Sequence, residues 1–239
     1  MHRAKLLAAV AAALFAPAAA ADDFPPLKLA NKKPASTMNG LPLLFSADFE
    51  DGKTDRWQPT DPKAWKITVQ GGNRVYSQFK AGKYKTPVRS PFNRSVIKDL
   101  TVGSFVLDVR LQSTKKDYPH RDLCLFFGYR DPSHFYYVHF GKRTDDRANQ
   151  IFIVNAKDRV KISTKTTKGT NWTNNWHHAR VVRDVKTGKI DVYFDDMKTP
   201  AMTAVDKTFT KGQVGVGSFD DVGNFDHILV YGEKVKPTP

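Results

Sequence analysis

Short apolar runs separated by turn residues make up most of this chain from Leu43 onward. In residues 103–112, apolar and polar side chains alternate with the period of two that indicates a half-buried β-strand. Helical periodicity is nearly absent after residue 21. We predict strands at 43–49, 65–70, 74–78, 103–112, 123–129, 135–140, 150–154, 176–183, 189–194, 214–219 and 225–231. Strands this numerous and short, joined by Gly, Asn, Asp and Pro turns, predict an all-β sandwich or barrel.

Two of these runs, 123–129 and 150–154, are almost continuously apolar. Strands that are covered on both faces show this pattern. Cys124, the single cysteine, lies in the first run, so we predict a buried structural thiol and no intrachain disulfide. The segment 61–64 is compatible with one short helical turn.

The first 21 residues have the composition of a secretory signal peptide. A short basic opening precedes the apolar run 6–15 and a group of alanines before Asp22. The apolar run is shorter than the roughly 20 residues that span a bilayer. The sequence therefore predicts a secreted protein, extracellular or periplasmic, with no membrane span.

The remainder predicts one folded domain between two loose segments. Residues 22–42 contain four prolines and predict a Pro-rich linker. Residues 43–234 form the predicted domain, and residues 235–239 a loose tail.

Basic residues outnumber acidic ones, and the formal net charge is +14. Removal of Arg3 and Lys5 with the signal peptide lowers it to +12. A basic exported protein suggests an acidic partner such as a uronate-rich or sulfated polysaccharide, an anionic cell envelope or nucleic acid. A basic surface that only maintains solubility is the alternative. The Lys and Arg residues are spread out without a nucleic-acid-binding motif, so we expect no nucleic acid. We also expect a monomer that requires no cofactor.

Two stretches resemble the concanavalin A-like lectin and glucanase superfamily. WHHARVVRD (176–184) followed by GKIDVYFD (188–195) resembles the paired strands of laminin-G-like domains, where a Trp opens one strand and a Gly turn leads to the next. GQVGVGSF (212–219) followed by NFDHILV (224–230) is similar to the closing strands of that superfamily. Within it, the chain is similar to secreted bacterial 3-keto-disaccharide hydrolase-like domains. The resemblance implies a jelly roll of two antiparallel sheets with ligands on a concave face or at a rim of loops.

The resemblance also implies a structural calcium ion near the chain termini. Asp226 corresponds to the carboxylate ligand, with Glu50 and Gly72 as backbone donors. Calcium favours several oxygen ligands, carbonyls included. The alternative is that Asp226 only hydrogen-bonds turn amides. We expect no zinc, because no Cys/His cluster has its spacing and the adjacent His177 and His178 point to opposite faces of a strand.

Catalysis is a second question that the residues leave open. The Glu-x-Asp-x-x-Glu motif of family-16 glycoside hydrolases is absent, which argues against their two-carboxylate mechanism. Lyases of related fold use Tyr, His, Gln and Arg. Tyr137 and His139 share one face by alternation and are our candidates for acid and base. Ordinary packing on a half-buried sheet is the alternative, and the Gln-Ile-His signature of lyases has Phe152 in place of the His.

Ligand binding is the function that we expect first. The segment 118–147 is rich in Tyr, His and Arg, and guanidinium groups match carboxylate or sulfate geometry. The predicted substrate-binding residues are Arg110, Arg130, Tyr137, His139, Gln150 and Arg180. The sequence thus predicts a glycan-binding or glycan-processing domain for an anionic extracellular polysaccharide. The alternatives are a hydrolase or polysaccharide lyase on the same face, and a non-catalytic adhesion module that binds protein or cell envelope.

Overall fold

A computed structural model describes residues 24–28 and 33–236, so the predicted signal peptide lies outside the described residues. The described part is almost entirely β-structure, with one 3₁₀ turn at Pro62–Ala64 inside the predicted segment 61–64. The strands are β1 (Thr37–Met38), β2 (Leu41–Ala47), β3 (Trp57–Pro59), β4 (Trp65–Gln70), β5 (Asn73–Gln78), β6 (Asn93–Ile97), β7 (Val102–Ser113), β8 (Asp122–Asp131), β9 (His134–Gly141), β10 (Gln150–Asn155), β11 (Val160–Lys161), β12 (Ser163–Thr166), β13 (His177–Arg183), β14 (Lys189–Phe194), β15 (Met202–Val205), β16 (Gln213–Ser218) and β17 (Gly223–Lys234).

These strands form two antiparallel sheets. The ten-stranded sheet has the order β1-β2-β17-β7-β13-β14-β15-β12, with β5 also paired to β17 and β4 paired to β5. The seven-stranded sheet has the order β11-β10-β9-β8-β16-β6-β3. The predicted two-sheet antiparallel sandwich of jelly-roll type is confirmed. None of the described residues belongs to a helix long and apolar enough to cross a membrane.

The main core lies between the two sheets. Leu107 and Val181 point into it from the ten-stranded sheet, and Leu125 and Val138 from the seven-stranded sheet. All four side chains are buried. Burying an apolar side chain of this size stabilises a fold by roughly 1.5–3 kcal/mol, so this layer fixes which face of each strand points outward.

The outer face of the seven-stranded sheet is buried as well. Val88 packs against a second apolar cluster on this face, which consists of Cys124, Phe126, Phe135, Tyr137, Phe152 and Val154. Val88 belongs to residues 79–92, which connect β5 to β6 and which we call the covering segment. The continuous apolar runs in β8 and β10 predicted this double burial, and the buried Cys124 thiol is confirmed.

Ordered structure begins before residue 43. Strand β1 lies within the segment 22–42 and pairs with β2. The backbone carbonyls of Phe24 and Pro25 accept hydrogen bonds from Gln70 and Gln112 at 2.9 and 3.0 Å. Contacts made through backbone atoms leave no hydrophobic pattern in the sequence, so the prolines alone indicated a linker here.

Candidate functional site

The six predicted substrate-binding residues do not form one surface. Tyr137, His139 and Gln150 lie on the outer face of the seven-stranded sheet, on neighbouring strands β9 and β10. Arg110 and Arg180 lie on the outer face of the other sheet. The prediction of a single face failed because alternation within a strand does not reveal to which sheet the strand belongs.

Arg130 is separate from both groups. It lies exposed near the end of β8, with its guanidinium 4.8 Å from the ring centroid of Phe209. It therefore packs on Phe209 and belongs to neither of the two groups.

Arg180 is held by an ion network on its own sheet. Its Nε donates to Asp108 Oδ2 at 2.6 Å, and His178 Nε2 lies 2.7 Å from Asp108 Oδ1. Burial opposes the charge of Asp108, but the hydrogen bond from His178 and the charge of Arg180 outweigh it and keep the pKa of the carboxyl below its usual value. Arg180 is thus already paired, and this part of the predicted site is an internal ion pair.

Tyr137 is enclosed within the second apolar cluster. Its exposed fraction is 0%, and its ring stacks on Phe152 with centroids 5.0 Å apart. Burial raises the pKa of its hydroxyl well above the usual range, although Arg159 Nη1 donates to that oxygen at 2.9 Å. A sugar cannot reach Tyr137 here. Gln150 is buried too, and its amide donates to the Asp145 carbonyl at 3.0 Å.

His139 forms a dyad with Asp122. The imidazole Nε2 is hydrogen-bonded to Asp122 Oδ2, and Nδ1 lies 3.4 Å from Arg159 Nη1. Because arginine only donates, Nδ1 accepts and Nε2 carries the proton toward Asp122. His139 is 5% exposed and lies parallel to Phe219 at 6.0 Å. The dyad could hold a proton, but Arg159 and Phe219 stand between it and solvent.

A metal at this dyad does not fit. Asp122, Cys124 and His139 are the one group of three potential ligands within 4.8 Å of one another in the described part of the chain. The three residues are at most 5% exposed, so an ion would have to enter this face without its hydration water. The guanidinium of Arg159 also faces the imidazole. Both features disfavour a cation, and the cluster is a polar inclusion in a buried face.

Beside the dyad, a groove of about 280 Å³ opens to solvent. We call it the Arg159 groove; its lining residues are Arg89, Asp146, Arg147, Phe152, Asp158, Arg159 and Lys161. The Arg159 guanidinium lies 4.8 Å from the ring centroid of Phe152 and 4.4 Å from that of Phe219. Arg159 was not among the predicted site residues, although the basic stretch KDRVK (157–161), which leads from β10 into β11, was an available signal.

The Arg159 groove has an excess of positive charge. Lys161 pairs with Asp146, but no carboxylate among the described residues lies within 4.0 Å of the Arg159 guanidinium. Arg89 and Arg147 are exposed at the rim. Planar guanidinium groups bind carboxylate and sulfate oxygens in pairs, so this groove is suited to an anionic ligand.

The three residues predicted for calcium line the same pocket, although Asp48, Glu50 and Asp226 there do not form a group of ligands within 4.8 Å of one another. Asp226, Glu50 and Gly72 line one pocket of about 830 Å³ near the start of the described chain. The Asp226 carboxylate is 2% exposed and accepts hydrogen bonds from Asn73 Nδ2 at 2.8 Å and His227 N at 2.6 Å. Glu50 Oε1 accepts from a backbone amide at 2.7 Å.

Among the described residues, no cationic group lies within 4.0 Å of the Asp226 carboxylate, whereas Glu50 forms an ion pair with Arg74 at 3.9 Å. Burial, and after it the negative charges of Glu50 and Asp48, raise the pKa of Asp226 to about 7. A divalent cation would relieve this repulsion, and the carboxylate and carbonyl oxygens are of the type that calcium prefers. Asp226 therefore fits a calcium ion in charge and in donor type, whereas the Glu50 carbonyl, predicted as a backbone donor, already accepts from Arg74 Nη1 at 3.2 Å.

Comparison with known proteins gives the fold. No protein-family model matches the chain, and no curated protein matches it. The carbohydrate-binding module CBM66 from Bacillus subtilis superposes with a TM-score of 0.53 at 13% identity, over 74% of this chain and 96% of that one. The GH43 protein BlXynB from Bacillus licheniformis superposes with a TM-score of 0.55 at 12% identity, over 78% of this chain and 39% of that one. The chain thus spans about two fifths of the GH43 protein. Similarity at this level shows a shared jelly-roll sandwich, and the narrower resemblance to 3-keto-disaccharide hydrolase-like domains stays a prediction.

Proposed function

We propose that this domain is a secreted glycan-binding module, and that an extracellular polysaccharide with carboxylate or sulfate groups binds in the Arg159 groove. The observation that carries the proposal is the position of Arg159. Its guanidinium lies over two aromatic rings at the mouth of the groove and has no carboxylate partner within 4.0 Å among the described residues. Such a guanidinium donates two parallel hydrogen bonds to an anion, while the edges of the rings contact the sugar.

Two further observations support binding in preference to catalysis. Tyr137 is fully buried and the His139 dyad is screened by Arg159, so neither group has direct access to a sugar. The fold is also shared with a protein named as a carbohydrate-binding module. The alternative is a lyase or hydrolase on this face, which requires the Arg159 side chain to move away from the Tyr137 hydroxyl.

The test is a binding panel with the mature protein. Polygalacturonate, chondroitin sulfate and neutral dextran are compared by affinity electrophoresis and calorimetry, while new reducing ends and unsaturated products are followed. We expect the two anionic polymers to bind, with affinity that falls as salt rises. The double variant Arg89→Ala/Arg147→Ala is expected to weaken binding about tenfold, because each rim guanidinium contributes a partly screened charge.

The matched control is Lys186→Ala/Lys198→Ala. It removes the same charge from exposed turns beside β14, on the other sheet. An equal loss in both double variants would assign binding to net charge alone and overturn the groove. Degradation products would establish the enzymatic alternative, and the absence of binding to all three polymers would favour a protein partner.

We also propose that Asp226 holds a structural calcium ion, and Asp226→Asn is the variant that tests it. The folded pKa of about 7 lies above the ordinary 3.8, so the native state binds the extra proton and stability falls as pH rises from about 4 to about 7. In chelator at pH 8, the variant is expected to raise the free energy of unfolding by roughly 1–3 kcal/mol, and at pH 4 by almost nothing. Urea unfolding at the two pH values measures this.

Calcium should stabilise the wild type and not the variant, which is the opposite of the result expected in chelator. Saturating calcium is expected to raise the wild-type Tm and to leave the Asp226→Asn variant unchanged, because a ligand that binds only the native state stabilises it. Identical wild-type Tm values in calcium and in chelator would refute the calcium site. A variant that gains no stability in chelator at pH 8 would show that the carboxylate is not under repulsion.

A further inference from the structure

Arg94 is a buried cation without a counter-ion. It lies on β6, with 2% of its surface exposed. Across the described ranges, no carboxylate lies within 4.0 Å of its guanidinium. Its Nη2 makes one long hydrogen bond of 3.4 Å to the Tyr129 hydroxyl, and its buried Nη1 has no hydrogen-bond partner. Burying a charge in this state is unfavourable, so the site favours an anion that the chain itself does not supply.

Aromatic rings surround this guanidinium. Its Cζ lies 4.6 Å from the ring centroid of Tyr129, 5.1 Å from that of Phe135 and 5.9 Å from that of Phe126. Cation–π contacts offset part of the desolvation and hold the side chain in place. They supply no anionic oxygen, so the positive charge of this cage remains uncompensated.

A small pocket adjoins the cage. It measures about 230 Å³ and is lined by Gln58, Pro59, Thr60, Tyr84, Arg94, Val96, Tyr129 and Pro132. Two tyrosines and two prolines give it apolar walls, and the exposed Gln58 lies at its rim. This combination of flat apolar walls and one charged group suits a single acidic sugar ring.

We infer that this Arg94 pocket binds the carboxylate or sulfate group of one sugar residue. The sugar part of the inference rests on the proposed function, whereas the anion part does not. The Arg94 pocket and the Arg159 groove both adjoin the covering segment, because Tyr84 lines the pocket and Arg89 lines the groove. A branch or terminal acidic residue of the same polysaccharide would then occupy the pocket while the main chain follows the groove.

The experiment titrates the mature protein with glucuronate, glucose and sulfate at constant ionic strength, by calorimetry and amide chemical shifts. We expect glucuronate to bind and glucose not to bind. Equal affinity for sulfate and glucuronate would assign the pocket to free anions and overturn its sugar part. No binding of either anion would overturn the inference.

Substitutions that add charge at Gln58, on the rim of the pocket, test the location of binding and leave Arg94 in place. Gln58→Glu is expected to weaken glucuronate binding about fivefold and Gln58→Lys to strengthen it, because the added charge acts at short range. Asn175→Glu, which adds the same charge at an exposed position before β13, should change nothing. Equal effects of Gln58→Glu and Asn175→Glu would contradict the location.

Arg94→Met separates binding from structure. It removes the charge and retains an unbranched apolar chain within the ring cage, so we expect loss of glucuronate binding with no fall in the Tm of the anion-free protein. A large fall in Tm with unchanged binding would assign Arg94 a structural role, and if this variant does not fold, the Gln58 variants still decide. The amide chemical shifts distinguish failure of the groove from failure of the pocket: an anion in the pocket should move the amides around Gln58 and Arg94, and an anion in the groove those of residues 157–161.

Discussion

Replacing Asp122 by alanine is expected to destabilise the fold by about 2–4 kcal/mol, because it leaves two hydrogen-bond donors at a buried site without an acceptor. Asp122 is 1% exposed, and its carboxylate accepts hydrogen bonds from the His139 imidazole and, at 3.4 Å, from the backbone amide of Phe219. Alanine would leave both donors unsatisfied. Urea unfolding with a fixed m-value measures the loss.

Two further variants test whether the loss comes from the buried contacts of Asp122. Asp146→Ala removes an exposed carboxylate that pairs with Lys161, and it is expected to cost less than about 1 kcal/mol. The double variant Asp122→Ala/His139→Phe should recover part of the loss, since it removes the unpaired imidazole and adds an apolar ring. If Asp122→Ala instead leaves stability intact and abolishes polysaccharide cleavage, the dyad has a chemical role and the binding-module proposal is wrong.

Strand positions on long regular strands followed from the sequence. Alternation over 103–112 predicted nearly all of β7, and 189–194 and 65–70 match β14 and β4 to the residue. These strands bury one face against the main core, and burial imposes the pattern. The overall sandwich could be predicted because many such strands leave few other architectures.

Short and polar strands could not be predicted in this way. Strand β6 is buried at every position, yet it reads Asn-Arg-Ser before its two apolar residues. Its Asn93 and Ser95 side chains are satisfied by contacts from distant parts of the chain, such as the hydrogen bond between Ser95 and Tyr76 at 3.0 Å and that between Asn93 Nδ2 and Ser218 Oγ at 3.3 Å. A local pattern does not contain that information, so the strand that carries Arg94 was missed.

The candidate site shows the same limit. Alternation placed Tyr137 and His139 on one face correctly. It could not show that the covering segment lies over that face, because residues 79–92 have no regular pattern and Val88 contacts the cluster from outside the sheet. The continuous apolar run of β8 did indicate a covered face, but the predicted site was still placed on it.

Replacing Gly217 by alanine is the second change with a large expected effect, a loss of about 3 kcal/mol. Gly217 in β16 pairs with Arg94 in β6. A Cβ at this position would lie 2.0 Å from the backbone oxygen of Asn93 and 3.1 Å from Arg94 Cα. The first of these atoms is backbone and cannot move aside without shifting β6, so the cost cannot be relieved by a side-chain rotation.

Gly103→Ala is the control that isolates this close approach. Gly103 is also a buried strand glycine, but the nearest atom to its Cβ would lie 3.5 Å away, an ordinary contact. Alanine there should change the free energy of unfolding by less than about 0.5 kcal/mol. Equal losses of stability at both positions would mean that backbone entropy, and not the close approach of β6, makes glycine necessary at position 217.

Because β6 carries Arg94, a Gly217→Ala protein that still folds should also bind glucuronate more weakly, whereas Gly103→Ala should bind it normally.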